Sequence, residues 1–351
     1  MIFSSDNWAG AHPSIAESLV RHAGGFAPAY GTSDLDKAVD ATFSRIFERD
    51  VAVFFVGTGT AANSLAMAAC YRPGGVAFCH SEAHMIVDEC GSPEFLAGGI
   101  RLCPVTGARG KFSPDALSAA IDRYSARVVH SGQPMAVSIT QATEVGTVYS
   151  LDEIEAVAGI AHAHGLPLHM DGARFANALV ALETTPAEMT WKRGVDLVSF
   201  GGTKNGCWCA EALVVLDPAK ATEIPFLRKR SAHLFSKSRF IAAQFEAYFA
   251  EDLWLASARH ANAMTKRLAD VLSSSNRVKL AWTPDANEAF AVMPRALMEE
   301  LNAQGARFYP WATPASYEEP VADDETFCRF VTSFATRDED IDAFRRLLMS
   351  K

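Results

Sequence analysis

From about residue 35 onward, the chain alternates two spacings of apolar residues. Residues 35–47 repeat apolar side chains three and four apart, which predicts an amphipathic helix, and 51–56 is a short continuous apolar run. A turn at 57–63 leads into a second helical pattern ending near residue 69. Further apolar runs at 76–79, 101–105, 136–140, 167–170 and 197–200 predict strands, and 151–164 predicts a helix. Buried strands alternating with helices of this length specify an α/β chain with a mainly parallel sheet covered on both faces. After about residue 220 the texture changes: a long helical stretch at 234–273 precedes strand-like runs at 278–283, 289–293 and 327–334, and a helix at 338–348 closes the chain. This predicts a smaller C-terminal α/β domain over 246–351, after an amino-terminal arm and large domain over 1–245.

Composition narrows the class. A chain of 351 residues suits two coupled lobes, and 49% hydrophobic with 21% charged residues is ordinary for a globular protein. The net charge of −9 argues against a nucleic-acid binder and leaves room for a local cationic pocket. Seven cysteines, an odd number without framework spacing, read as reduced thiols of a cytoplasmic protein. Cys207-Trp-Cys209 alone is too little for a zinc site, so no metal is expected. The opening MIFSSDNWAG lacks the basic and apolar regions of a signal peptide, and no run approaches the roughly 20 apolar residues that span a bilayer.

Candidate chemistry gathers where strands end. Lys204 follows an apolar run within Ser199-Phe-Gly-Gly-Thr-Lys-Asn-Gly206, where an amine can face a cleft and act as a nucleophile. Asp171 ends the preceding strand and is followed by Arg174. Alone, the lysine reads equally as a solvated turn residue and the aspartate as a helix cap. Together, at the carboxyl ends of neighbouring strands, they supply what pyridoxal phosphate needs: an amine to bind its aldehyde and a carboxylate to keep its ring nitrogen protonated. Gly57-Thr-Gly-Thr60, between a strand and a helix, offers backbone N–H groups to a phosphate, and it lacks the ending of a nucleotide P-loop. His84 lies beyond it, with Asp88 and Glu89 one helical turn later to orient it; the plainer reading is a satisfied, part-buried histidine. His162 and His164 do not share a helix face.

Nearly end to end, the chain resembles the low-specificity L-threonine aldolases. The matching segments include Ser4-Ser-Asp-Asn7, Ala29-Tyr-Gly31, Gly59-Thr-Ala-Ala-Asn-Ser64, Ala83-His84, Asp88-Glu-Cys-Gly91, Pro93-Glu-Phe95 and Ile139-Thr-Gln-Ala-Thr-Glu-Val-Gly-Thr147. The specific ones are His169-Met-Asp-Gly-Ala-Arg-Phe175 and Phe200-Gly-Gly-Thr-Lys-Asn-Gly206. The resemblance implies the PLP-dependent transferase fold (type I), with a seven-stranded sheet in the large domain. It implies that Lys204 holds the cofactor as a Schiff base, Asp171 pairs with the ring nitrogen, His84 stacks on the ring, and Gly59 with Thr60 bind phosphate. Ser5, Arg174 and Arg329 match positions that grip the cofactor's O3′ or the substrate carboxylate, and His130 matches a second active-site histidine. Arg230 and Lys237 match a basic stretch that reaches the phosphate from a neighbouring subunit, in a family that commonly forms tetramers.

The implied reaction is retro-aldol cleavage of an L-β-hydroxy-α-amino acid to glycine and an aldehyde. The base for the β-hydroxyl proton stays open among His84, His130 and a water held by Asp88 or Glu89. Trp208 and Cys209 depart from the family pattern beside the lysine; Trp208 either reshapes the aldehyde side of the pocket or contacts a subunit. The acidic stretch 317–324 reads as a solvated loop. Alternatives are a phenylserine-type aldolase, a β-eliminating lyase, and a non-catalytic PLP-binding protein; a nucleotide-binding enzyme is disfavoured by the missing phosphate motifs.

Overall fold

The computed structural model describes residues 1–124 and 128–350. Seven strands form the larger sheet: β1 (Ala52–Val56), β2 (Gly75–His80), β3 (Arg101–Val105), β4 (Gln133–Thr140), β5 (Leu168–Gly172), β6 (Leu197–Gly201) and β7 (Glu211–Val215). Their order is β1-β7-β6-β5-β4-β2-β3. Every strand runs parallel to the others except β7, which is antiparallel to both β1 and β6. The seventh strand, β7, is the one that the apolar pattern did not single out; it opens with a glutamate and returns antiparallel to β6 after the 202–210 connection that carries Lys204.

The helices that position the site are α1 (Pro13–Arg21), α2 (Asp34–Ile46), α3 (Gly59–Ala69), α4 (His84–Val87), α5 (Leu151–Ala163), α6 (Phe175–Ala181), α7 (Arg239–Phe249), α8 (Leu253–Ser273) and α9 (Asp338–Met349). Capping boxes start α2 at Ser33 and α5 at Ser150, each serine bonding a backbone N–H three residues on. The long helical stretch expected over 234–273 is broken at 250–252, where Glu251 and Asp252 have positive φ (50° and 55°) and turn the chain out of α7 into α8. The expected division at residue 245 falls within α7.

The smaller sheet has the order β10-β11-β9-β8, all antiparallel: β8 (Lys279–Leu280), β9 (Glu288–Pro294), β10 (Tyr309–Pro310) and β11 (Glu325–Val331). The amino-terminal arm joins this lobe: Ile2 bridges Arg307, and Phe3 lies buried among Phe308, Phe330 and Phe344. The arm thus carries residues 5–7 across to the carboxyl edge of the larger sheet.

Behind β6, an aromatic cluster fixes the strand that presents Lys204. Phe43 of α2 packs edge-on against Phe200, Phe245 and Phe249, with ring centroids 5.1, 5.2 and 5.1 Å away. Such pairs add roughly 0.5–1.5 kcal/mol each beyond area burial. Gly201 has a separate reason to be glycine: a Cβ there would lie 2.5 Å from the Ala173 carbonyl oxygen. The glycines ahead of the lysine thus allow backbone to pack on backbone.

Candidate active site

In a parallel sheet, the carboxyl ends of the strands face one edge, and the chemistry collects there. A cavity of about 230 Å³ at this edge is lined by the 57–60 turn after β1, His84 after β2, Asp171 at the end of β5, Lys204 after β6, and Glu211. Because β7 runs in reverse, it brings its first residue, Glu211, to the edge where the other strands bring their last.

Asp171 is buried, and its two oxygens are separately satisfied: Oδ2 accepts from Asn63 Nδ2 at 2.8 Å and Oδ1 from the Ala173 N–H at 3.1 Å. Asn63, on α3, also donates from Nδ2 to Glu89 Oε1 at 2.8 Å. That same oxygen lies 2.8 Å from His84 Nδ1. A continuous chain, His84–Glu89–Asn63–Asp171, therefore runs along one wall. Burial opposes charge on His84, but the Glu89 hydrogen bond and the nearby Glu144 and Asp171 outweigh it, with Lys204 opposing, and raise its pKa.

Asp88 does not hold His84. It is exposed and lines a neighbouring cavity, and the orienting carboxylate is the buried Glu89, the alternative one residue on. His130 needs correction as well. It is exposed in the turn before β4, at the amino end of a strand whose carboxyl end faces the site, so this protomer does not bring it to the cluster.

The lysine itself is held by its neighbours. Asn205 donates from Nδ2 to the Tyr248 hydroxyl and the Trp254 carbonyl, both at 2.8 Å, and Gly206 turns the chain with φ of 117°. Trp208, with 64% of its surface exposed, does not line the cavity. Glu211 Oε1 accepts from the Thr203 N–H at 3.1 Å. Burial pushes Glu211 up to about 7, against the Thr203 hydrogen bonds and the Lys204 charge that favour its ionised form.

Two arginines approach from the side of the smaller lobe. Arg174 is buried and bonds Asp6 through Nε (2.8 Å) and Nη2 (3.2 Å), while its Nη1 lies 3.1 Å from Glu288. Arg329 of β11 sits 3.7 Å from Glu288 and stacks 3.8 Å over the Trp311 ring. Ser5 is placed differently: its hydroxyl accepts from the Asn7 N–H at 3.1 Å, capping a short turn beside Val331 and Thr336, and it is Asn7 that lines the cavity. Arg230 and Lys237 are exposed and do not line the cavity of their own protomer.

The residues present fit pyridoxal phosphate. Lys204 lines the cavity, and among the described residues no ion pair engages its amine. The buried Asp171 carboxylate, stabilised by two donors, suits a protonated ring nitrogen. Gly59 and Thr60 begin α3, where the N–H groups lack helical partners and Thr58 Oγ1 caps only that of Ala61 (3.1 Å). The cluster can bind a cofactor aldehyde, hold an anion at a helix start, and present a histidine to a bound amino acid.

The sequence gives Glu89, beside Asp88, as a partner of His84, and assigns no role to Asn63, Glu211, Glu288 or Asp6. A signal existed for several of them. Asn63 is the amide side chain in the interior of a Gly59–Ala69 helix made mostly of small residues, and Glu211 and Glu288 each open an apolar strand.

Comparison with known proteins agrees with this geometry. The Beta-eliminating lyase family matches residues 3–295. The low specificity L-threonine aldolase of Pseudomonas aeruginosa is 39% identical over 308 residues, covering 88% of each chain. The enzyme of the same name from a Pseudomonas species is 38% identical over 308 residues, with the same coverage. A solved threonine aldolase structure from Leishmania major superposes with a TM-score of 0.91 at 28% identity, over 99% of this chain and 98% of that one. The seven-stranded sheet with its cofactor edge is thus the fold type I architecture of PLP enzymes, and the chain belongs to the beta-eliminating lyase family, grouping there with the low specificity L-threonine aldolases.

Proposed function

We propose that the protein cleaves L-threonine, L-allo-threonine and related L-β-hydroxy-α-amino acids to glycine and an aldehyde. The observation that carries this reading is the chain His84–Glu89–Asn63–Asp171 beside Lys204: one wall holds a proton acceptor and a ring-nitrogen partner in a single hydrogen-bonded line. When bound, pyridoxal phosphate supplies the electron sink for the pair released from the broken Cα–Cβ bond. Lys204 would hold it through the amine, Asp171 through the ring nitrogen, and Gly59 and Thr60 through the phosphate. His84 would cover the ring face and take the β-hydroxyl proton, using the nitrogen that Glu89 leaves free. Arg174 and Arg329 would grip the substrate carboxylate, fixing the rotation that sets which bond at Cα breaks.

Arg230 and Lys237 are assigned to the phosphate of a second copy, in a cytoplasmic homotetramer built as a dimer of dimers. The exposed Phe226 and Phe235 support this reading, because they leave apolar surface beside those cations. Among the described residues no helix is long and apolar enough to cross a membrane.

A second reading, a preference for bulky Cβ substituents as in phenylserine, is favoured by a neighbouring cavity of about 350 Å³. Val87, Val145 and Trp311 line it, on the flank of His84 and Arg329. The test is product analysis with L-threonine, L-allo-threonine and L-phenylserine in the presence of the cofactor, beside Lys204→Ala. Equimolar glycine and aldehyde, lost in the variant, is expected. Ammonia and a 2-oxo acid would instead assign the protein to the eliminating members of its family.

A further inference from the structure

Five ionisable side chains meet beside the cofactor cavity, and their charges do not balance. Arg174 and Arg329 face three carboxylates: Asp6 from the amino-terminal arm, Glu144 from the 142–147 turn, and Glu288 from the start of β9. Glu288 stands between the two arginines, 3.1 Å from Arg174 Nη1 and 3.7 Å from Arg329 Nη1, with no side-chain surface exposed. These approaches are ion pairs without hydrogen-bond geometry: both Glu288 oxygens, Arg174 Nη1 and Arg329 Nε are buried with no hydrogen-bond partner. Buried charged groups are normally hydrogen-bonded as well as paired, so this pair of arginines around one carboxylate marks a place that can take a further polar group.

We infer that Glu288 is the resident counter-ion of the arginine pair, and that the substrate carboxylate displaces it by driving a proton from solvent onto the Glu288 carboxyl group. This rests on the reading that Arg174 and Arg329 grip that carboxylate. With all five groups ionised, the cluster already carries one excess negative charge, and an incoming carboxylate would add another in a buried site. Protonating Glu288 removes that excess and gives it an O–H to donate. Burial already holds its carboxyl well above the usual range; Arg174 and Arg329 oppose this, and Glu144 and Asp6 add to it. The groups facing it are Arg174 from the β5–α6 connection, Arg329 from β11, Glu144, and Asp6, which Asn287 also bonds. His84 lies beyond Glu144.

Carboxylate binding is therefore coupled to proton uptake, and affinity falls as pH rises through the range where Glu288 is ionised in the free enzyme. Propionate is the probe, because it has a carboxylate and no amine to titrate. Its inhibition constant against L-threonine cleavage by the holoenzyme is measured from about pH 6.5 to 9, for wild type and Glu288→Gln. The proton count on propionate binding is read by calorimetry in two buffers of different ionisation enthalpy. The wild-type constant is expected to rise by up to about tenfold per pH unit, with close to one proton taken up per site. In Glu288→Gln, a permanent donor, the rise disappears and propionate binds more tightly at the alkaline end. A wild-type constant that stays level with pH, with no proton taken up, overturns the inference without reference to the variant. Equal pH slopes in the two proteins overturn it also. Propionate inhibition that survives Arg329→Ala unchanged overturns the carboxylate-grip reading itself, and the inference with it.

Discussion

Replacing Glu89 by glutamine isolates the charge that tunes His84. Glu89 Oε1 receives both His84 Nδ1 and Asn63 Nδ2, at 2.8 Å each, while Oε2 is buried without a partner. Glutamine keeps the oxygen that accepts both bonds and deletes the negative charge. A hydrogen bond to a charged group contributes roughly 1.5–3 kcal/mol, about twice a neutral one. The charge-dependent half, about 0.8–1.5 kcal/mol, corresponds to up to about one pKa unit. His84 is raised in the folded protein, so its protonated form is favoured at acid pH and is lost as pH rises through that raised value. A base must be neutral to accept the β-hydroxyl proton, and wild-type activity therefore turns on above the raised pKa. Glu89→Gln lowers that pKa and should move the acid limb of the kcat/KM profile down by up to about one pH unit. The assay couples aldehyde formed from L-threonine to an NADH-dependent dehydrogenase, with thermal melts in parallel. The new amide has no acceptor where Oε2 stood, and a stability loss of about 1–3 kcal/mol is expected. An acid limb that stays in place, or moves up, in a folded variant would refute His84 as the titrating base.

The other predictions concern the remaining walls of the site and its support. Asp171→Asn keeps an acceptor for Asn63 but loses the charge facing the cofactor ring, and kcat should fall about a hundredfold or more while the cofactor still binds, read by its absorbance. Glu211, pushed up to about 7 by burial, ionises as pH rises beyond that value and then repels the phosphate bound at the start of α3. Cofactor affinity should accordingly weaken severalfold between about pH 6.5 and 8.5 in wild type and not in Glu211→Gln; equal curves by fluorescence titration would count against it. Phe43→Ala empties the centre of the aromatic cluster behind β6 and should cost about 3–5 kcal/mol in denaturant unfolding, lowering the melting temperature.

The parts of the fold that the sequence exposes are those with a repeating physical signal. Six of the seven strands of the larger sheet announce themselves as apolar runs, most plainly the inner parallel strands β2, β4, β5 and β6, which are buried along almost their whole length. Lys204 and Asp171 are visible for a related reason: each ends such a run, and strand ends are where function collects. β7 is harder to see, since it begins with a glutamate and is the strand that needs only a hairpin to follow its neighbour. The break between α7 and α8 is hidden because Glu251 and Asp252 are unremarkable in sequence, and only their positive φ reveals the turn. The choice of Glu89 over Asp88 depends on which side of one short turn faces inward. His130 shows that a positional match along the chain does not tell which end of a strand a residue will occupy. The partnership of Asp6 with Arg174 joins residues 168 positions apart, beyond any local pattern.

The position of β7 also bears on when the protein becomes able to bind its cofactor. β1 is made early, yet its neighbour in the sheet is β7, so it remains an unpaired edge until Glu211–Val215 leaves the ribosome. Only then do the phosphate turn after β1 and the lysine after β6 come to lie on either side of one strand. Nascent chains that stop short of β7 hold every ligand-binding motif of the larger sheet except Glu211, but lack the strand that pairs β1 with β6. Until then the chain offers β1 and β6 as open edges.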